Sequence, residues 1–293
     1  MKAPPVAYAR ARSLAEVFDL LERHGGNSEG EGAKILAGGQ SLMPALNLRL
    51  SSPALLIDIS RLADHAGIQV KDGHVHIGAL ITHAAIGASA DIRKHLPLLA
   101  DAAEHIAHPA IRNRGTFGGS LAMADPAAEW PACCVALNAQ IVLANKSGTR
   151  HVAAHDFFQG LYATAMQPGE VLTEVVIPIP AAGYRHAFME LARRRGDYAI
   201  VGVAALAKVS GGAFSDVRLV YLGASDTSVA ARKTSQVFVL KGFFETSLKE
   251  AQQMLATELA PQADLYSSAA AKLHLAQVLT ARVMKQLIAC HPA

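Results

Sequence analysis

Apolar positions over the first sixty residues fall alternately into short runs and helical stripes. Val6–Ala9 reads as a strand. Ser13 then caps a helix with Leu14, Val17, Phe18 and Leu21 on one face, ended by Gly25-Gly26. Lys34–Ala37 is a second strand, Leu42–Leu48 a helix and Ala54–Ile59 a third strand. Strands joined by crossovers of this length predict a small parallel sheet. From residue 61 the pattern turns antiparallel. Ile68–Lys71 and His74–Ala79 flank an Asp72-Gly73 turn, Thr82 caps a helix, and Leu96–His105 supplies another. Asp125-Pro126 opens a helix bearing Trp130, Cys133, Cys134 and Leu137, with Asp as N-cap and Pro at the first helical position. Ile141–Ala144, Thr149–Val152 and Val171–Ile177 complete this part as strands.

Ala181-Ala182-Gly183 reads as a linker. Beyond it Tyr184–Ala192, Ile200–Val209 and Phe214–Gly223 predict a three-stranded meander, the last two strands joined at Gly211-Gly212. Helices over Ser247–Leu259 and Ser267–Ala289 follow. The class is α+β. The expected division is residues 1–179, with lobes of about 1–60 and 61–179, followed by a second domain over 184–293.

With 293 residues, 51% of them apolar and 17% charged, the chain is globular and long enough for two domains. A net charge of +3 from dispersed basic residues gives no case for nucleic acid. Three cysteines, Cys133, Cys134 and Cys290, form neither a disulfide framework nor a CxxC site, which suits a reducing cytoplasm. The N-terminus lacks an apolar signal core, and no stretch is long and apolar enough to span a bilayer. A cytoplasmic protein is expected.

Two glycine pairs carry the chemistry. In Leu36-Ala37-Gly38-Gly39-Gln40-Ser41-Leu42 a strand meets a helix through a turn whose backbone is open to an anion, with Ser41 placed to cap the helix. In Arg112-Asn113-Arg114-Gly115-Thr116-Phe117-Gly118-Gly119-Ser120 a second pair precedes a hydroxyl residue and follows two arginines. Two separated pairs can grip the two phosphates of a diphosphate between them. There is no GxGxxG, GxxxxGK[ST] or GxSxG motif, which disfavours a Rossmann dehydrogenase, a P-loop ATPase and an α/β-hydrolase. His105 and His108 have a spacing found in metal sites, but no third ligand is evident, and no metal site is expected.

These paired stretches, with Ala107–Gly115, Ala124-Asp125-Pro126-Ala127-Ala128-Glu129-Trp130-Pro131, Arg193–Ala199 and Leu222-Gly223-Ala224, resemble the medium, FAD-binding subunits of molybdenum hydroxylases, the group of aerobic carbon monoxide dehydrogenase and the subunit-split xanthine dehydrogenases. The likeness runs through nearly the whole chain. It implies a two-lobed FAD-binding domain of the vanillyl-alcohol oxidase type, then a C-terminal domain of a three-stranded antiparallel sheet with helices. It further implies non-covalent FAD contacted by Leu36, Ala37, Gly38, Gly39, Gln40, Ser41 and Leu42 from one lobe and by Thr116, Gly118, Gly119 and Ser120 from the other. Asp125 would lie on the ribose or adenine side, Leu172 near the adenine and Tyr198 against the flavin ring. No catalytic residue is assigned, because the flavin carries the redox chemistry.

The implied partners are a large molybdopterin subunit and a small [2Fe-2S] subunit, joined as a dimer of heterotrimers, with electrons passing through FAD to an external acceptor. The chain departs from the family pattern at Gln40, where His is frequent, at Ser120, where Asn is frequent, and at Glu190, where some members have Lys. The cysteine-rich insertion of some reductases is missing. The alternatives are a stand-alone FAD-dependent oxidase or reductase and a non-catalytic nucleotide-binding assembly subunit. Replacing either glycine pair by Val-Val is expected to empty the site by filling the phosphate path while the C-terminal domain stays folded.

Overall fold

The computed structural model describes residues 2–25, 32–210 and 213–289; Gly26, the Gly211-Gly212 turn and Cys290 lie outside the described residues. Strands β1 (Ala7–Arg10), β2 (Ala33–Leu36) and β3 (Leu55–Asp58) form a parallel sheet in the order β1-β3-β2. The crossovers carry α1 (Leu14–Arg23) and α2 (Leu42–Asn47). Ser13 caps α1 as its sequence requires, its Oγ accepting from the Glu16 N–H at 3.2 Å. Val17 and Leu21 are buried in one cluster with Leu55 and Ile57. The amphipathic stripe read along the chain is therefore the sheet-facing side.

Next come β4 (Ile68–Lys71) and β5 (His74–Gly78), then α3 (His83–Ala88), α4 (Ala90–His95), α5 (Pro97–Ala103), α6 (Pro109–Arg112), α7 (Phe117–Met123) and α8 (Glu129–Ala136). β6 (Gln140–Asn145), β7 (Gly148–Ala153), α9 (Ala154–Phe157), β8 (Phe158–Gly160), β9 (Ala163–Thr164) and β10 (Val171–Pro178) follow. The antiparallel sheet runs β4-β5-β10-β6-β7, while β8 and β9 pair with each other. The Asp125-Pro126 helix starts later than expected. Ala124 closes α7 in the left-handed region at φ 51°, and Ala128, not Asp125, is the residue flanking α8. Asp125 Oδ1 accepts from the Ala127 N–H at 2.9 Å, so Asp-Pro makes a local turn that delays the helix.

The third part is the antiparallel run β11 (Tyr184–Leu191), β12 (Val201–Ser210) and β13 (Ala213–Leu222). A fourth strand, β14 (Val229–Ala230), extends the expected three-stranded sheet where Val220 and Tyr221 pair with Ala230 and Val229. Helices α10 (Arg232–Lys241), α11 (Glu245–Glu258) and α12 (Ala269–Ala289) cover it. The sequence reading lacks α10, and the reason is physical. Its N-terminal N–H groups on Lys233 and Thr234 are capped at 2.8 Å by the Glu258 carboxylate, from the far end of α11. No local capping residue announces the helix.

All eight residues of α8 are buried, so this helix has no solvent face. The core around it joins Trp130, Cys133, Leu172 and Val175 with Phe188, Leu206, Val220 and Leu222 of the C-terminal sheet. No helix among the described residues is long and apolar enough to cross a membrane.

The entry to β10 is held by one ion pair. Arg150 on β7 meets the Glu170 carboxylate with Nε at 2.6 Å and Nη2 at 2.8 Å, and Nη2 also donates to the Ala165 carbonyl. Glu170 is only 2% exposed, and Arg150 holds its carboxyl below the ordinary value. Removing the cation would leave a buried charge underpaired, against which Arg150's partial exposure is a discount. Arg150→Ala should cost on the order of 2 kcal/mol in urea unfolding at pH 7. Because the Glu170 carboxyl is depressed, the difference from wild type should shrink as pH falls below about 4.

Candidate functional site

Leu36 ends β2 at the carboxyl edge of the parallel sheet, and Ala37–Ser41 turn the chain into α2. Among the described residues, none of the backbone N–H groups of Gly38, Gly39, Gln40 and Ser41 finds an acceptor. Four neighbouring donors thus remain for an external acceptor. Ser41 does not cap α2. Its backbone is already helical at φ −103° and ψ −44°, so its hydroxyl makes no capping bond. Gln40 turns its Nε2 onto the Gly38 carbonyl at 3.1 Å. Leu42 is half-buried at the start of the helix.

The second glycine pair is built differently. Gly118 and Gly119 lie in the first turn of α7, not in an open turn. Thr116 caps that helix, its Oγ1 accepting from the Gly119 N–H at 3.2 Å. Phe117 N donates to the Ile81 carbonyl at 2.9 Å, Gly118 N to Ala79 at 2.8 Å, and Ser120 N to Thr116 at 3.1 Å. Every N–H from Phe117 to Ser120 is therefore spent inside the protein. What this side still offers is the half-buried Ser120 hydroxyl, which makes no hydrogen bond among the described residues, and the exposed Gly119 backbone.

The two stretches meet directly. A Cβ on Gly38 would stand 2.1 Å from the Arg114 carbonyl oxygen and 2.9 Å from the Gly115 Cα, and one on Gly119 would lie 3.9 Å from the Ala37 Cβ. Gly118 presses equally hard on the layer beneath, where its Cβ would be 2.5 Å from the Ala79 Cβ. Both glycines thus serve close packing, a role beyond the expected one of leaving room for a phosphate. Valine there would act first on the fold.

His83 supports this seam from below. Its N–H donates to the Gly115 carbonyl at 3.0 Å, and its Nδ1 accepts from the Trp130 indole at 2.9 Å. Burial, then the nearby Arg112 charge, lowers the imidazole to about 4, so the ring is neutral at physiological pH. Arg112 is committed to the Ile106 and Ala107 carbonyls at 2.8 and 2.9 Å. Arg114, whose backbone carbonyl lies against Gly38, is exposed and makes no ion pair among the described residues.

Asp125, half-buried, follows the left-handed Ala124, and burial raises its carboxyl. Its charge reaches two phenols that carry exposed rings, Tyr162 and Tyr198. Tyr162 sits at φ 54°, in a strained local conformation, and the sequence reading did not single it out. Tyr198 belongs to the 193–198 loop, which lies against Ala107 and His108. Gly223 donates to the Pro126 carbonyl at 2.8 Å, which brings the Leu222-Gly223-Ala224 corner to the same place. Leu172 has its side chain in the core, only 5% exposed, where the β10 register shifts. Its neighbour Thr173 accepts from the Ala79 N–H at 2.9 Å. The backbone thus links Leu172–Thr173 through Ala79 to Gly118.

Behind Asp125 lies a second group the sequence reading missed. Glu129 in the first turn of α8 is 9% exposed. Its carboxyl is pushed up to about 8 by burial, then by the charges of Glu190 and Asp125.

Residues 4–180 match the family described as the FAD binding domain in molybdopterin dehydrogenase, and residues 186–287 match the CO dehydrogenase flavoprotein C-terminal domain. The nicotine 6-hydroxylase medium subunit of Paenarthrobacter nicotinovorans is 41% identical over 76% of each chain. The alpha subunit of the 6-hydroxypseudooxynicotine dehydrogenase complex of the same organism is 35% identical over 98% of this chain and 96% of its own. A chain of carbon monoxide dehydrogenase from Hydrogenophaga pseudoflava superposes with a TM-score of 0.93 at 34% identity, covering 98% of both. The protein belongs to the family of FAD-binding medium subunits of molybdenum hydroxylases. It is an oxidoreductase component, and its relatives are medium chains of multi-subunit enzymes.

Two measurements follow from this geometry. Gly38→Ala should lower stability by about 1–3 kcal/mol in urea unfolding, as an overpacked seam does. Gly67→Ala, where an added Cβ meets nothing within 4 Å, should change little. Between the ordinary carboxyl range and about 8, the folded chain keeps a Glu129 proton that the unfolded chain has released. Stability should therefore fall as pH rises through that window and level off above it. A stability–pH profile of Glu129→Gln should lack that decline, whose size is on the order of a few kcal/mol.

Proposed function

We propose that the diphosphate of FAD is held, without covalent attachment, at the seam where Gly38 meets Arg114 and Gly115. The observation that carries this reading is the row of N–H groups over Gly38–Ser41 that find no acceptor among the described residues, packed against the backbone of Arg114, itself without an ion pair among them. Backbone N–H groups and one cation are the donors that a diphosphate needs. Leu36, Ala37, Gly39, Gln40 and Leu42 shape this side of the seam. From the other side, Ser120 would donate its hydroxyl and Gly119 would allow close approach, while Thr116 and Gly118 hold that wall in place.

Asp125 would accept from the ribose or adenine end, near the backbone at Leu172. Tyr198 and Tyr162 would flank the isoalloxazine ring. The corresponding domain division is residues 1–179, in lobes of about 1–60 and 61–179, followed by 184–293. Bound in this way, FAD would supply the redox chemistry that connects the [2Fe-2S] clusters of a partner subunit with an external acceptor. The chain's own task is to bind, orient and desolvate the cofactor. The assembly we infer is a cytoplasmic dimer of heterotrimers with a large molybdopterin subunit and a small [2Fe-2S] subunit.

The visible spectrum of the purified chain, before and after denaturation, tests the cofactor assignment. Released pigment should be FAD, not FMN, at close to one per chain. FAD added to apoprotein at a hundred times its Kd should raise stability by about 2.7 kcal/mol. Well-folded protein that neither carries nor takes up FAD would favour the non-catalytic reading, and flavin turnover of an organic substrate by the isolated chain the stand-alone one.

A further inference from the structure

The connection from β11 to β12 is longer than a hairpin needs. The Ile200 N–H donates to the Leu191 carbonyl at 2.8 Å and closes its base, and residues 192–199 stand beyond that closure. Tyr198 in this loop is 74% exposed. An excursion from a paired base keeps its shape only through what its own residues touch.

The loop is gripped from two sides. Toward the first part, Gly196 at φ +85° packs so closely that a Cβ would stand 2.8 Å from both the Ala107 carbonyl oxygen and the His108 Cε1. Within the loop, the Asp197 N–H donates to the Arg194 carbonyl at 3.1 Å. The Asp197 carboxylate accepts from the Arg194 Nε at 3.2 Å and lies 3.8 Å from the Arg193 Nη2. Toward the C-terminal helices, the Arg193 guanidinium lies over the Tyr266 ring, 3.8 Å from its centroid. That is well inside cation–π range. Arg195 and Glu104, 4.0 Å apart, are both more than three-quarters exposed and add little.

Tyr266 is itself anchored. It belongs to the stretch between α11 and α12, where the Asp264 carboxylate accepts from the N–H groups of Tyr266 at 2.7 Å and Ser267 at 2.9 Å. The other Asp264 oxygen pairs at 2.8 Å with Nζ of Lys272, a buried lysine in the first turn of α12. Lysine is rarely buried without such a partner. Lys272, then the Tyr266 N–H, hold the Asp264 carboxyl down at about 2, so the anchor is ionised at neutral pH. Contacts thus run unbroken from α12 through Asp264, Tyr266 and Arg193 to Asp197, the residue before Tyr198.

We propose that Tyr266, anchored by Asp264 and Lys272, is the positioning residue that braces the 192–199 loop and thereby sets Tyr198 against the flavin. The brace stands on the contacts above, whereas its consequence for the flavin rests on the ring lying at Tyr198. Tyr266 acts only through the Arg193 guanidinium and enters no chemical step. The contact needs an aromatic face and not the phenol hydroxyl, which makes no hydrogen bond among the described residues. Phenylalanine therefore serves as well as tyrosine, and leucine does not.

Trypsin reads the brace without reference to flavin, because Arg193, Arg194 and Arg195 all lie in the loop. In the full-length chain, Tyr266→Leu should raise cleavage at these arginines about two- to fivefold, the gain in opened loop that follows loss of a partly exposed cation–π contact. Asp264→Asn should act in the same direction, and Tyr266→Phe should match wild type. Tyr266 is 66% exposed, so its replacement leaves the core intact. Equal cleavage of Tyr266→Leu and wild type, or Tyr266→Phe cut as fast as Tyr266→Leu, would overturn the brace.

Flavin fluorescence of the FAD-loaded full chain reads the consequence. Tyr198→Leu should brighten it by removing a quenching ring, Tyr266→Leu should brighten it part of the way, and Tyr266→Phe should stay as dark as wild type. If Tyr198→Leu changes nothing, the flavin does not lie at Tyr198, and that half of the proposal falls while the brace stands. If Tyr198→Leu brightens and Tyr266→Leu does not, the flavin lies there and the brace has no hold on it, which overturns the positioning role.

Discussion

The seam proposed to seat the cofactor depends on one backbone-to-backbone contact, that of Gly38 with Arg114 and Gly115. It joins a parallel sheet to a helical layer with no side chain between them. The contact is possible because the Gly115 region is held from behind by His83, which in turn accepts from the Trp130 indole on the fully buried α8. The neutrality of His83 is part of the arrangement, since a protonated ring could not accept at Nδ1. A chain of contacts therefore runs from the deepest helix of the core to the open N–H groups at the surface.

The two glycine stretches look alike as sequence and differ as chemistry. Around Gly38–Ser41 the chain leaves a strand and turns, so its N–H groups find no carbonyl among the described residues. Around Phe117–Ser120 the chain enters a helix that leans on β5's continuation, and the Ala79 and Ile81 carbonyls take its donors. One wall offers open backbone N–H groups, the other a hydroxyl and a close-packed surface. The acidic members of the site sit apart from both, on the side where Tyr162 and Tyr198 present their rings.

How much of this could be read in advance follows from where each determinant lies. The parallel unit was legible because Ser13, the Val17/Leu21 stripe and the short strands are all local signals. The meander of β11 to β13 was legible for the same reason. The α10 helix was not, since its cap is Glu258, more than twenty residues downstream. The Asp125-Pro126 pair carried the right signal for a helix start, but a left-handed Ala124 and the Asx turn moved that start to Glu129. The glycine pairs marked two stretches that the fold brings into contact, yet which of them keeps open N–H groups depends on carbonyls that only the tertiary fold supplies. The burial of Glu129 and Glu190 likewise arises only where two distant elements pack.

The circumference of α8 is shared between the core of the first part and the sheet of the second, and that has a bearing on inheritance. Two segments with separate family descriptions would ordinarily be free to recombine. Here a crossover near residues 180–184 would divide a single set of complementary surfaces, with Trp130, Cys133 and Leu172 on one parent and Phe188, Leu206 and Leu222 on the other. Volume matching across such a core tolerates few mismatched partners. The two halves are therefore expected to travel through evolution as one linked block, with changes in α8 answered by changes in β11 to β13.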